Sequence, residues 1–117
     1  MAITMYQYMK QGKSYTFSQL TAPGSTDSLF IGNCSSICFQ YVIASINTSV
    51  TVRIEGSLDN SNWFNLDIED GDTDQVANGT YSFYFEGEVS YARFTFVSEA
   101  GGTAATIDVV AYAGGLS

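Results

Sequence analysis

The sequence lacks histidine and has few basic residues. Its 117 residues contain no His and only four Lys and Arg, against 12 Asp and Glu, for a net charge of −8. Without histidine, triads that use an imidazole base and metal sites that use an imidazole ligand are excluded. Because phosphate binding needs clustered Lys and Arg, we expect neither a nucleic-acid partner nor an anionic membrane. The acidic balance suits a partner that has positive patches.

Long apolar runs and cysteines are also scarce. No apolar run approaches the ~20 residues of a membrane-spanning helix. The segment Met1–Tyr6 has no basic n-region followed by a long apolar stretch, so we expect synthesis in a cytoplasm. Cys34 and Cys38 would lie ~13 Å apart on an extended chain, too far for a disulfide without a turn between them. They are expected to be small buried or half-buried thiols, with a turn-closing disulfide as the alternative.

Aromatic and alternating apolar residues dominate what is present. Hydrophobic residues make up 45% of the chain, with 8 Phe, 8 Tyr and 1 Trp against 14% charged residues. Period-two alternation, typical of strands, runs through most of the chain after residue 36. The alternating apolar positions are Ile37, Phe39, Tyr41 and Ile43; Val50, Val52 and Ile54; Tyr81, Phe83 and Phe85; Phe94 and Phe96; and Ile107, Val109 and Ala111. This pattern predicts an all-β fold with about seven or eight strands, in one antiparallel β-sandwich of jelly-roll or immunoglobulin-like type spanning residues 1–117.

The first dozen residues have a weak pattern. We interpret residues 1–12 as an N-terminal arm that becomes ordered against a neighbour. Its candidate interaction residues are Tyr6, Tyr8, Met9 and Lys10.

An acidic segment at 69–79, predicted to be a polar loop, is the densest polar feature. Asp70, Asp72 and Asp74 have the alternate spacing of a calcium loop, since Ca²⁺ prefers several carboxylate oxygens. Gln75 stands where an EF-hand has glycine, and Tyr81 stands at the twelfth position in place of glutamate. A solvated loop is therefore favoured over a calcium site, and no cofactor is expected. No Gly-x-Ser-x-Gly elbow or phosphate-binding glycine loop is present, so we expect a protein that is not an enzyme.

Two interpretations apply to each of Trp63 and Arg93. Trp63 could fill the core of the sandwich or, with Asn62, Asn65, Tyr81, Tyr84 and Tyr91, form a platform for a sugar ring. We favour the core position. Arg93 is expected to pair with an acid or stack on an aromatic ring, so that both residues are structural.

The run from Val52 to Leu66 resembles a pattern found in β-sandwich proteins of tailed-phage virions, V-x-x-E-G-S-x-D-G-x-x-W-x-x-L. Asn60 stands at the usual glycine, which is a mild departure because Asn also tolerates a positive φ. The resemblance extends over residues 50–112 and includes Tyr91–Phe94 and the Gly101-Gly102-Thr103 turn. A Ser-x-Asp-x-x-x-Trp hairpin also occurs in discoidin-like carbohydrate-binding sandwiches.

This resemblance implies a structural protein of the virion without enzymatic activity. It points to a capsid decoration or cement protein that binds the head shell in many copies, with the major capsid protein or other virion proteins as partners. A homotrimer would match the local threefold sites of such a shell. The alternative is a carbohydrate-binding or adhesive module of a tail or fibre.

Overall fold

The computed structural model describes residues 7–8, 13–32, 34–66 and 72–114. The predictions made for Tyr6, Met9, Lys10 and Asp70 lie outside these residues. Within them, no helix has the length and apolar character needed to cross a membrane.

The described residues form eleven strands and no helix. The strands are β1 (Gln7–Tyr8), β2 (Lys13–Thr16), β3 (Gly24–Ser25), β4 (Leu29–Phe30), β5 (Ser36–Ala44), β6 (Ser49–Ser57), β7 (Phe64–Asn65), β8 (Thr73–Gln75), β9 (Gly79–Glu86), β10 (Tyr91–Ala100) and β11 (Thr106–Gly114).

These strands make two sheets. The larger sheet has the order β1-β4-β10-β6-β7, with β3 also pairing with β10 and β8 with β6. The smaller sheet has the order β2-β11-β5-β9. All pairs are antiparallel except the short parallel pair of β1 with β4, where Tyr8 lies opposite Phe30. The prediction of an all-β sandwich is confirmed.

Alternation places one face of each long strand in the core between the sheets. On β5, Ile37, Phe39, Tyr41 and Ile43 are buried, and β5 lies inside its sheet between β11 and β9. The β6, β10 and β11 strands contribute further buried residues, namely Val50, Val52 and Ile54; Ala92, Phe94 and Phe96; and Ile107, Val109, Ala111 and Ala113.

Aromatic rings join the two sheets across this core. The ring of Phe94, from the larger sheet, lies 4.9 Å from Tyr41, 6.3 Å from Phe39 and 6.2 Å from Phe83, all from the smaller sheet. These tilted contacts suit aromatic quadrupoles and bury a large apolar area. The Tyr41 hydroxyl accepts a hydrogen bond from Gln75 Nε2 at 3.1 Å, and burial raises the pKa of Tyr41.

The number of strands differs from the seven or eight expected. The additional strands are short: β1 and β3 have two residues each, and β8 has three. The segment 69–79, predicted to be a loop, contains β8, which pairs with β6 through Thr51 and Asp74. Backbone pairing of two or three residues needs no apolar alternation, so the sequence pattern carries no sign of it.

Neither Cys34 nor Cys38 forms a disulfide. Cys34 is buried, which raises the pKa of its thiol, and Cys38 is half-buried on β5.

We expect Phe94→Ala to lower the free energy of unfolding by about 4 kcal/mol, because it removes a fully buried ring from the contact between the sheets. Phe64→Ala is the matched control, since Phe64 is 47% exposed, and we expect a loss of about 1 kcal/mol or less. Urea unfolding followed by circular dichroism measures both changes. Equal losses in the two variants would contradict the assignment of Phe94 to the central contact.

Candidate functional site

The hairpin that carries the sequence resemblance turns at residues 57–62. The Ser57 hydroxyl accepts the backbone N–H of Asp59 at 3.2 Å and that of Asn60 at 2.9 Å. Asp59 Oδ1 accepts the N–H groups of Ser61 at 2.9 Å and Asn62 at 2.8 Å, and Asp59 Oδ2 accepts Asn62 Nδ2 at 2.8 Å. These bonds favour the ionised carboxylate, so the pKa of Asp59 lies well below its usual value. Asn60 has a φ of 60°, the left-handed conformation that Gly or Asn adopts at such a turn.

Trp63 follows this turn and lies outside the core. It is half-buried, whereas Leu66, three positions further on, is buried and donates its N–H to Ile54 O at 2.9 Å. Side chains three positions apart on an extended chain point to opposite faces, so Leu66 takes the core side and Trp63 the outer side of the larger sheet. The expectation that Trp63 fills the core is therefore wrong, and Leu66 has that place.

Arg93 lies against the Trp63 ring on this outer face. The guanidinium carbon of Arg93 is 4.0 Å from the centroid of the ring, a cation–π geometry. Arg93 Nε also donates to Glu55 Oε1 at 2.7 Å. Arg93 thus has both of the contacts considered for it, an acid and an aromatic ring.

Glu55 is the centre of this polar cluster. It lies directly opposite Arg93 in the β6–β10 pairing, and its side chain is 11% exposed. Besides Arg93, Glu55 Oε1 accepts the Thr95 hydroxyl at 3.0 Å, and Glu55 Oε2 lies 3.6 Å from a terminal nitrogen of Arg53. A carboxylate taken out of water is costly unless it is paired and hydrogen-bonded, and here both oxygens have cationic partners.

The candidate calcium ligands among the described residues also have protein partners. Asp72 Oδ1 lies 3.1 Å from Arg53 Nε, an ion pair whose angle does not make a hydrogen bond. Asp74 Oδ1 accepts the Thr51 hydroxyl at 2.5 Å. In the described part of the chain, no group of three or more His, Cys, Asp or Glu side chains is arranged to hold a metal ion.

Of the tyrosines considered for a sugar platform with Trp63, Tyr81 and Tyr84 lie on the other sheet, whereas Tyr91 shares the outer face of β10 with Arg93. Trp63 lies on the outer face of the larger sheet, whereas Tyr84, on β9, is 64% exposed on the smaller sheet. The hydroxyl of Tyr81 donates to Ala77 O, and Tyr91 packs edge-on against Phe30 at 5.4 Å. Of the candidate arm residues, Tyr8 belongs to β1 at the end of the larger sheet.

Sequence reasoning missed Glu55 as the centre of the cluster. The available signal was the alternation of side chains along β6. It places Arg53 and Glu55, which are two positions apart, on the same outer face. Their shared partner, Arg93, becomes apparent only with the register between β6 and β10, which are separated by more than thirty residues in sequence.

We expect Glu55→Gln to lower the free energy of unfolding by about 2 kcal/mol, because it leaves Arg93 without its charged partner and Arg53 with Asp72 alone. Glu86→Gln removes the same charge at an exposed position and should have little effect. Chemical denaturation of both variants makes the comparison, and equal stabilities of the two would contradict the role given to Glu55.

The turn around Asp59 predicts a pH dependence. Because the folded pKa of Asp59 is lowered, its contribution to stability is present above the unfolded value of about 4 and is lost as the pH falls toward the folded value. The difference in Tm between wild type and Asp59→Ala should therefore stay constant from about pH 7 to 5 and shrink below about pH 4. Asp27→Ala, at an exposed aspartate outside this turn, is the control. A difference for Asp59→Ala that does not change down to about pH 2 would refute this.

No family model and no curated protein matches the sequence. Among solved structures, the fold is similar to that in the crystal structure of the SPBc2 prophage-derived protein YomS, with a TM-score of 0.59 and 15% sequence identity. The match covers 86% of this chain and 91% of that one. The two proteins therefore share a fold over nearly their whole lengths.

Proposed function

We propose that this chain is a non-enzymatic structural protein of a phage virion, and that it decorates the capsid in many copies. The observation that carries the proposal is the similarity of nearly the whole fold to a prophage-derived protein. The Val52–Leu66 pattern supports it independently, since that pattern resembles β-sandwich proteins of tailed-phage virions. A protein of this kind adds contact area where shell subunits meet.

The chemistry of the outer face supports a role without catalysis. The most buried carboxylate of the described residues, Glu55, is held by two arginines and a threonine, which leaves it poorly placed to exchange protons with a substrate. The chain also has no histidine to act as a base.

The proposed contact with the shell is the N-terminal segment. Its β1 strand is the terminal strand of the larger sheet, and among the described residues it joins that sheet through the two-residue pair with β4. A short pairing of this kind contributes little stability by itself, so a partner could extend it. The major capsid protein is the proposed partner, and the virion is the proposed location.

The carbohydrate-binding alternative has less support from the hairpin. Arg93 occupies one face of the Trp63 ring, so the ring has at most one face left for a sugar. Binding to a glycan array that disappears in a folded Trp63→Ala variant would favour this alternative over decoration.

The first test is the copy number of the protein in particles purified from its source, measured by quantitative mass spectrometry. We expect hundreds of copies in each capsid-sized particle, because a decoration protein occupies repeated sites on the shell. A few copies to a few dozen would indicate a neck, tail or fibre protein. Absence from every particle would refute the virion proposal.

The second test asks whether residues 1–12 bind the shell. A variant with alanine at Tyr6, Tyr8, Met9 and Lys10 keeps the backbone of β1, whereas deletion of residues 1–12 removes it. We expect the deletion to abolish binding to particles that lack the protein, and the alanine variant to weaken it. Unchanged binding of both variants would contradict the arm proposal. The copy number would still test the virion proposal.

A further inference from the structure

The two sheets end in strands of very different length. The larger sheet ends in β1 and β3 on one side and in β7 and β8 on the other, all of two or three residues. In the smaller sheet, β2 has four residues, whereas β9 runs for eight residues from Gly79 to Glu86. Short strands are one of the ways in which proteins protect a sheet edge from pairing with another chain. Only β9, among the terminal strands that the structure describes, presents a long edge.

Among the described residues, the free edge of β9 lacks three usual protective features: proline, lysine and a β-bulge. Its sequence, GTYSFYFE, contains no proline and no lysine, and its pairing with β5 runs from Gly79 to Glu86 without a bulge. Of all the described strands, only β5 pairs with it.

The pairing of β9 with β5 determines which backbone groups of β9 point away from β5. Gly87 N donates to Ser35 O at 2.9 Å, so the hydrogen-bonded pairs of this antiparallel ladder fall on the odd-numbered residues of β9. The N–H and C=O groups of the even-numbered residues therefore point toward the free edge. These residues are Thr80, Ser82, Tyr84 and Glu86, whose side chains are all exposed.

We propose that the free edge of β9 pairs with β9 of a second copy of this chain, antiparallel and about a twofold axis at Phe83. This register places Thr80 opposite Glu86 of the other copy and Ser82 opposite Tyr84. All four outward-facing residues are then paired, giving about eight backbone hydrogen bonds. On the inner face, Phe83 lies beside its symmetry mate, and Tyr81 lies beside Phe85 of the other copy.

The distribution of charge favours a second copy at this place. Two chains of net charge −8 repel each other, so a contact between them needs a stretch that is poor in acids. The β9 strand carries one charged residue, Glu86, and the proposed register sets it opposite Thr80 rather than opposite another acid.

The inner face of β9 also gains from pairing. Tyr81, Phe83 and Phe85 are each only partly buried while packing against the core. A second β9 would cover part of these three rings, and burial of apolar surface favours association. The smaller sheets of the two copies would then form one continuous eight-stranded sheet.

The first test compares masses in solution by sedimentation equilibrium. At about 100 μM, well above the micromolar end of protein-interface affinities, we expect twice the 12.7 kDa mass of one chain. Ser82→Pro removes an N–H that points to the free edge and not to β5, so it should give the mass of one chain. Ser82→Ala keeps that N–H and should retain the doubled mass.

Three results would overturn the proposal: a wild type with the mass of one chain, a folded Ser82→Pro variant with the doubled mass, or a mass of three chains. The last would favour the trimer implied by the sequence resemblance, because antiparallel edge pairing closes at two copies.

Cross-linking tests the register and remains informative if Ser82→Pro does not fold. In a Cys38→Ser background, Thr80→Cys with Glu86→Cys should form a covalent dimer on oxidation, because paired Cα atoms lie about 5.5 Å apart. Either cysteine alone should not do so, since residue 80 lies about 20 Å from its symmetry mate. No cross-link in the double variant, or equal cross-linking in the single variants, would overturn the proposed pairing.

Discussion

The pairing of β6 with β10 is the interaction on which the larger sheet depends. These two strands bring the core residues Ile54 and Phe94 together on one side and the Glu55–Arg93 pair together on the other. All the short strands of this sheet except β1 attach directly to one of these two strands. One register therefore sets both the aromatic contact with the smaller sheet and the polar cluster on the outer face. A slip by one residue would exchange the two faces, which makes this register strongly specified.

The long strands and the core could be predicted from the sequence because alternation is a local signal. Ile37, Phe39, Tyr41 and Ile43 reveal the buried face of β5 without knowledge of its neighbours. The same reasoning found the buried faces of β6 and β10. Strand order was not available from the sequence, because it depends on contacts between segments that are far apart.

The features that the sequence did not reveal depend on which face of a strand a side chain occupies and on which strands pair. Trp63 was expected in the core because one buried Trp often anchors a β-sandwich of this class, yet Leu66 lies on the inner face and an odd separation directs Trp63 outward. On the outer face, Arg93 covers the Trp63 ring and also pairs with Glu55. The motif therefore encodes both a core residue and a residue of the outer cluster, and only the register of β7 with β6 separates the two roles.

The two edge strands of the smaller sheet differ in length, with four residues in β2 and eight in β9. This difference affects how two copies of an acidic protein can associate. Repulsion between copies acts over about 8 Å at physiological ionic strength, so acids near a contact weaken it while distant ones matter little. A bare strand edge is directional and needs only backbone groups, which makes it the kind of contact least affected by an acidic surface. Selection against unwanted association would place a lysine, a proline or a bulge in β9, and none is there. The long edge of β9 therefore supports the proposed pairing of two copies.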